Sequence, residues 1–369
     1  MQGLIPDFKR WDATLMVLAL ALCAVGLVLI YSATAAQPQL RGLPLRQALW
    51  VLLGLGAMAV AASFDHHGLA NLGTAAYVLV GLLLLVVLAT ARRSTYGATS
   101  WLNLHFFYLQ PAELAKMALI LLLAKILSDE PGRVRTFAGL LPPLGLMALY
   151  QALILKAPDL GSALVLLPVT LTMLLVAGAR KRHLTLVVTA LAAAGPLAWP
   201  FLHQYQRDRV LSFLNPQADA LGTGYNAIQG QIAVGSGGWF GQGYLRGTQS
   251  QLHFVPFHHN DFIFSVVGEE GGFFFSLLLL LLLLGLLARL AEIALKARDL
   301  TGALIVSGLL AWMGAQSFVN IGMNLGLMPV TGIPLPFVSY GGSSTIVAFF
   351  GLGLALGVRK DTLGTAAGR

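Results

Sequence analysis

The stretch Val255-Pro256-Phe257-His258-His259-Asn260-Asp261-Phe262-Ile263-Phe264-Ser265 sets a carboxylate directly ahead of a leucine-rich run. An acid at the mouth of an apolar segment is costly to desolvate, so it persists where it faces a polar cavity, a partner charge or a substrate. Such a carboxylate can take a proton from an attacking hydroxyl. In Gln110-Pro111-Ala112-Glu113-Leu114-Ala115-Lys116, Pro111 suits a first helical turn, Glu113 suits the positive end of the helix dipole, and Lys116 falls three residues on, on nearly the same face. The same spacing equally fits an ion pair that only makes two charges tolerable in a membrane. Asp159, in Lys156-Ala157-Pro158-Asp159-Leu160-Gly161-Ser162, reads most simply as the N-cap of the next helix. Arg207 and Arg209 carry guanidinium donors that match phosphate geometry, and on a loop they are also simply solvated cations.

Other polar groups carry less. His258 and His259 invite a metal reading, but adjacent histidines do not make a ligand set. Glu269 and Glu270 lie eight and nine positions after Asp261, off its helical face, and form no obvious carboxylate pair with it. Gly235-Ser236-Gly237-Gly238-Trp239-Phe240-Gly241-Gln242-Gly243 permits sharp turns or close backbone approach, without the lysine or preceding strand of a nucleotide loop.

The elements that must position these groups are helices in a membrane. The chain is 57% hydrophobic and 10% charged over 369 residues, with mean hydropathy +0.78, far outside the range of soluble domains. Its apolar runs are continuous and near the length that crosses a hydrocarbon core, which demands helices and excludes an alternating barrel pattern. We read ten spans, at about 14–31, 47–63, 69–90, 111–128, 138–155, 160–178, 184–202, 262–288, 300–324 and 343–358. The fold class is thus an all-α integral membrane protein of about ten transmembrane helices in one polytopic membrane domain over residues 1–369. The net charge of +8 sits mostly at span ends, as lipid headgroups and the positive-inside rule require, and forms no nucleic-acid surface. Lys9, Arg10, Arg133, Arg135, Arg180, Lys181, Arg182, Arg289, Lys296, Arg298, Arg359 and Lys360 would then be cytoplasmic, with both termini. Arg92, Arg93, Arg207, Arg209 and Arg246 would lie outside. The extracytoplasmic connection 203–260, between spans 7 and 8, is far longer than the rest, and its Trp239, Phe240, Tyr244 and Phe254 argue for packing. Cys23, the single cysteine, cannot form an internal disulfide.

On this count Glu113, Lys116, Asp159, Arg209 and Asp261 all fall toward the external side. A reaction there has little ATP or nucleotide sugar to draw on, so its donor would come already activated on a lipid. Cations would stabilise a leaving pyrophosphate, and Asp261, at the water boundary, would be the base.

The segment at Asp261, Gly247-Thr248-Gln249-Ser250-Gln251-Leu252-His253-Phe254, the segments at Glu113 and Asp159, and Pro334-Leu335-Pro336-Phe337-Val338-Ser339-Tyr340-Gly341-Gly342-Ser343-Ser344 together resemble the SEDS family of peptidoglycan polymerases, over nearly the whole chain. Val319–Met323 and Gly332–Pro336 look closer to the elongation member RodA than to the division member FtsW. The resemblance implies a peptidoglycan glycosyltransferase of the bacterial cytoplasmic membrane that joins lipid II disaccharides into β-1,4 glycan strands for elongation and shape. It would release undecaprenyl pyrophosphate and work with a class B penicillin-binding transpeptidase in the elongation machinery. It also implies that Asp261 is the essential acid, that Lys116 and Arg209 bind pyrophosphate, that Glu113 and Asp159 order the cavity, and that Ser343 touches substrate. A divalent cation, Mg2+ or Mn2+, beside the pyrophosphate fits the chemistry, although no dedicated ligand set is visible. Phe257, Asn260, Gln242 and Ser100 stand where relatives usually carry glutamate, threonine, lysine and arginine. A lipid II flippase would want the same charged cavity without a base, and a scaffold recruiting a transpeptidase would need neither.

Overall fold

The computed structural model describes residues 11–90, 100–103, 108–202, 204–222, 224–252, 254–255 and 258–364. Lys9, Arg10, Arg92, Arg93 and Phe257 lie outside them. In chain order the elements are α1 (Ala13–Ala35), α2 (Leu43–Ser63), α3 (His66–Asn71), α4 (Gly73–Thr90), the paired two-residue strands β1 (Leu102–Asn103) and β2 (Tyr108–Leu109), α5 (Pro111–Asp129), α6 (Phe137–Lys156), α7 (Leu160–Val176), α8 (Lys181–Ala198), α9 (Gln204–Leu214), α10 (Tyr225–Ser236), α11 (Thr248–Gln251), α12 (Ile263–Lys296), α13 (Leu300–Asn324) and α14 (Gly342–Gly364). The expected spans correspond to α1, α2, α4 to α8 and α12 to α14. Six of these helices are both long and apolar enough to cross a membrane, and α4 and α7 are shorter apolar helices. Helix α5 misses the apolar criterion because it carries Glu113, Lys116, Lys125 and Asp129.

Helix ends follow the local chemistry. Asp12 Oδ1 accepts from Leu15 N, Thr136 Oγ1 from Gly139 N, Asp159 Oδ1 from Ser162 N and Asp299 Oδ1 from Gly302 N, each satisfying an orphan donor of a first turn. Pro111 opens α5 and Glu113 sits in its first turn. One apolar core joins the bundle, with Leu119 and Leu123 of α5, Tyr150 of α6, Trp312 of α13 and Phe349 of α14 among its fully buried side chains. Leu52, Leu79, Leu278, Leu281 and Leu284 point outward and are exposed. Leucines arrayed this way make a surface suited to acyl chains.

Bonds between residues distant in the chain gather the helix ends into two sets. At one end Asp12 is paired with Arg289 and Arg359. At the other, Gln110 bonds Asp159, Arg209 bonds Thr331 and Ser339 bonds Asn260.

The 203–260 connection, for which the aromatic residues predict packing but no regular elements, contains three helices, α9 to α11. It is fastened to a break in α12. Gly272 has φ 65° and ψ −161°, which interrupts the helical ladder, and four backbone groups find partners in the glycine-rich segment. Gln242 N donates to Glu269 O and Gly243 N to Glu270 O, while Phe273 N donates to Gly238 O and Phe274 N to Trp239 O. A Cβ on Gly272 would sit 2.3 Å from Gly241 N, so only glycine admits this approach. Broken helix near membrane depth survives where neighbouring protein satisfies its backbone, and here the neighbour is main chain.

Candidate active site at one end of the bundle

Asp261 lies in the turn that leads into α12, outside the helix itself. Its backbone carbonyl accepts from Asn320 Nδ2 at 2.9 Å and from Asn324 Nδ2 at 3.2 Å. Asn320 Nδ2 also donates to Ile333 O at 2.7 Å, and Asn324 Oδ1 accepts from Ser265 N and Oγ. Ser339 Oγ donates to Asn260 O, and Tyr340 N donates to His259 O. Together these bonds hold the Asp261 turn against the 331–341 segment.

The carboxyl itself is differently placed. Asp261 is half-buried, and its Oδ1 is shielded from solvent without a hydrogen-bond partner among the described residues. A buried polar atom left unmatched is uncommon in a native fold and marks a place where something else is accommodated. Oδ2 faces Gly332, where an added Cβ would come within 3.5 Å of it. Burial first, and then the negative charge of Asp159, push the carboxyl up to about 7 against the opposing Arg209 guanidinium. Arg209 is half-buried on α9, with Nη1 3.4 Å from Thr331 O.

Of the expected site residues, Asp261, Asp159 and Arg209 thus fall within electrostatic reach of one another. Asp159 is also the N-cap of α7, and its Oδ2 accepts from Gln110 Nε2 at 2.9 Å. Glu113 and Lys116 are fully buried and joined at 2.6 Å. The Lys116 ammonium also donates to Gln316 Oε1 and lies 5.0 Å from the Trp312 ring centroid. A phosphate contact for Lys116 is not what this geometry offers, because protein groups surround the ammonium and close it from solvent. It acts one step back: Gln316 Nε2 donates to Pro334 O, so the ion pair braces the 331–341 segment. Ser343 also departs from its expected substrate contact. Its hydroxyl is buried, accepts from Gln110 N and donates to Tyr108 O, tying the start of α14 to the entrance of α5.

Sequence reasoning passed over Gln316, Asn320 and Asn324 as a set. They stand four residues apart on α13, one polar stripe along an otherwise apolar helix, and that spacing was the available signal. His258, the metal candidate, is a bolt: its two ring nitrogens face Val255 O at 2.7 Å and Ala33 O at 2.6 Å, joining the connection to α1. Glu269 accepts from Gln249 N and Ser250 N at the head of α11, while Glu270 accepts from Ser32 Oγ, so neither pairs with Asp261.

Comparisons with known proteins agree with this architecture. The family described as cell cycle protein, comprising FtsW, RodA and SpoVE, matches residues 13–363. The chain is 38% identical to the probable peptidoglycan glycosyltransferase FtsW of Geobacter metallireducens, over 98% of each chain. It is 37% identical to the peptidoglycan glycosyltransferase MrdB of Escherichia coli K12, over 95% of this chain and 94% of that one. Among solved structures, a chain from a peptidoglycan synthase complex, studied for the coordination of polymerization and crosslinking, matches with TM-score 0.82 and 38% identity, over 95% of this chain and 98% of that one. The rod shape determining protein RodA of Thermus thermophilus matches with TM-score 0.71 and 35% identity, over 96% and 99%. The polar end built around Asp261, the bundle of long apolar helices and these full-length likenesses make the chain a multi-pass membrane protein of the FtsW, RodA and SpoVE family, the SEDS proteins.

Proposed function

We propose that this chain is a peptidoglycan glycosyltransferase that polymerises lipid II, with Asp261 as general base. The observation that carries the reading is the Asp261 carboxyl: shielded, without a hydrogen bond at Oδ1 among the described residues, beside a cation, and pushed up toward neutral pH. A base works best when its pKa lies near the operating pH, and an unpartnered oxygen is available to the acceptor hydroxyl. In the proposed step Asp261 takes the proton of the acceptor sugar hydroxyl as the oxygen attacks the anomeric carbon of the donor. The bond from that carbon to pyrophosphate breaks with inversion, giving a β-linked strand, and undecaprenyl pyrophosphate leaves. Arg209, within electrostatic reach of Asp261, offers charge to the departing pyrophosphate, where Mg2+ or Mn2+ would assist. Asp159, Glu113 and Lys116 order the surroundings.

The orientation that puts this end outside and both termini in the cytoplasm follows from the distribution of Lys and Arg. A transpeptidase partner is supported by the peptidoglycan synthase complex to which the fold is similar. The elongation role rests on Val319–Met323 and Gly332–Pro336. Restoration of rod shape in cells depleted of their elongation polymerase supports it, and rescue of septation alone overturns it. The activity itself is tested with purified protein and lipid II. Glycan strands formed by the wild type and lost in Asp261→Ala support the proposal. Transbilayer movement of lipid II without polymer, or unchanged polymer in Asp261→Asn, refutes it.

A further inference from the structure

The end of the bundle opposite Asp261 holds a second group of titratable side chains that the proposed chemistry does not use. His66, at the start of α3, is 3% exposed and lies among the carboxylates of Asp65, Asp299 and Asp361. Its Nε2 is 3.1 Å from Asp299 Oδ2 and hydrogen-bonded to it. Its Nδ1 is 3.1 Å from Asp361 Oδ2 and 3.5 Å from Asp65 Oδ1. Nevertheless Nδ1 is shielded from solvent and makes no hydrogen bond among the described residues.

The tautomer follows from this asymmetry. Asp299 can only accept, so a neutral ring places its single proton on Nε2 and presents a lone pair at Nδ1. That lone pair and the two carboxylate oxygens lie within 4.8 Å of one another. Three electron-rich atoms at this spacing repel unless a proton on Nδ1 or a metal ion sits between them. A carboxylate accepting from the far nitrogen of a histidine is also the usual outer support of a metal-bound imidazole, fixing its tautomer and raising its basicity.

We propose that Asp65, His66 and Asp361 bind a divalent transition-metal ion of the zinc class, with Asp299 as the outer partner that orients His66. A rival grouping of His66, His67 and Asp299 is also compact, but it would need His66 Nε2, which already faces Asp299 Oδ2 at hydrogen-bond distance, 3.1 Å. Asp65 Oδ1 caps α3 by accepting from His67 N, and a carboxylate oxygen has a second lone pair for a metal. Asp65 is 61% exposed and Asp361 46%, so an ion can enter and keep water as a further ligand. The imidazole plus two carboxylates is a mixed nitrogen and oxygen set that suits Zn2+ or Co2+ better than Ca2+. The site would fasten the turn after α2 to the last turns of α14.

The test uses full-length protein in detergent, stripped with chelator and titrated with Co2+. One equivalent should bind and give visible ligand-field bands, and Zn2+ should displace it. Asp361→Ala and Asp65→Asn should each weaken binding at least about tenfold, and His66→Gln should abolish it. Asp299→Asn keeps the α13 cap and should weaken binding about 10- to 100-fold, as loss of an outer partner does. If His66→Gln does not fold, the variants at the two exposed aspartates decide. Wild-type protein that binds no stoichiometric Co2+ or Zn2+, or binding unaltered in Asp361→Ala, overturns the proposal.

Discussion

The pH dependence of polymerisation offers the sharpest test of the role given to Asp261. A base must be ionised to act, and burial pushes this carboxyl from an ordinary 3.8 to about 7. About one-tenth of it would be ionised at pH 6 and about nine-tenths at pH 8, so the rate should rise about tenfold between them and level off above. Stability should move the other way. The folded chain keeps the proton up to about 7, whereas the unfolded chain releases it near 3.8. The folded state therefore holds more protons across that window, and its stability falls as pH rises through it, by up to about 1.4 kcal/mol per pH unit. Two neighbours tune the inflection in opposite directions. Asp159→Asn keeps an acceptor for Ser162 N and removes a negative charge, so the inflection should move to lower pH. Arg209→Gln removes the opposing cation and should move it to higher pH. The assay is initial rate of lipid II polymerisation from pH 5 to 9 for the three proteins, with Asp261→Asn as the inactive reference. A flat profile, or an inflection that neither neighbour displaces, refutes the reasoning.

Breaking the Glu113–Lys116 pair from one side should be far worse than replacing both members. Glu113→Leu leaves a fully buried ammonium and should cost about 3–5 kcal/mol in thermal unfolding, while adding Lys116→Met should recover most of the loss. Asn320→Leu removes the donor shared by Asp261 O and Ile333 O, and should lower kcat about 10- to 100-fold with KM little changed and the fold retained. Gly272→Ala forces a side chain into positive φ and against Gly241 N, and should cost about 1–3 kcal/mol and make the 203–260 connection more sensitive to protease.

The membrane architecture could be read from the chain because its signal is local: a run of apolar residues near bilayer length needs no knowledge of its neighbours. The N-cap of Asp159 and the pairing of Glu113 with Lys116 were legible for the same reason, each resting on a spacing of three residues. What could not be read was which polar side chain ends up open and which is spent on the fold. Lys116 and Ser343 look like ligand contacts by residue type, yet Gln316 and Gln110, 200 and 233 positions away in the chain, consume them. The α9 to α11 helices were hidden in a connection whose composition is mixed and whose elements are short. The break in α12 was hidden too, since Gly271 and Gly272 sit inside a run that otherwise reads as unbroken helix.

The fastening of the glycine-rich segment to that break bears on how the chain tolerates change. All four bonds run from peptide group to peptide group, so apart from the glycines that let the two main chains meet, the joint reads the count of residues more than their identity. Gln242 contributes its backbone N–H to this joint, while its side chain is spent elsewhere, Nε2 donating to Ser236 Oγ and Oε1 accepting from Thr248 N. Substitutions at Trp239, Phe240 and Gln242 leave the four bonds in place, Gly241 must stay glycine because a Cβ there would sit 2.0 Å from Glu270 O, and a one-residue deletion slips every bond at once. Length, more than sequence, is what this segment has to inherit.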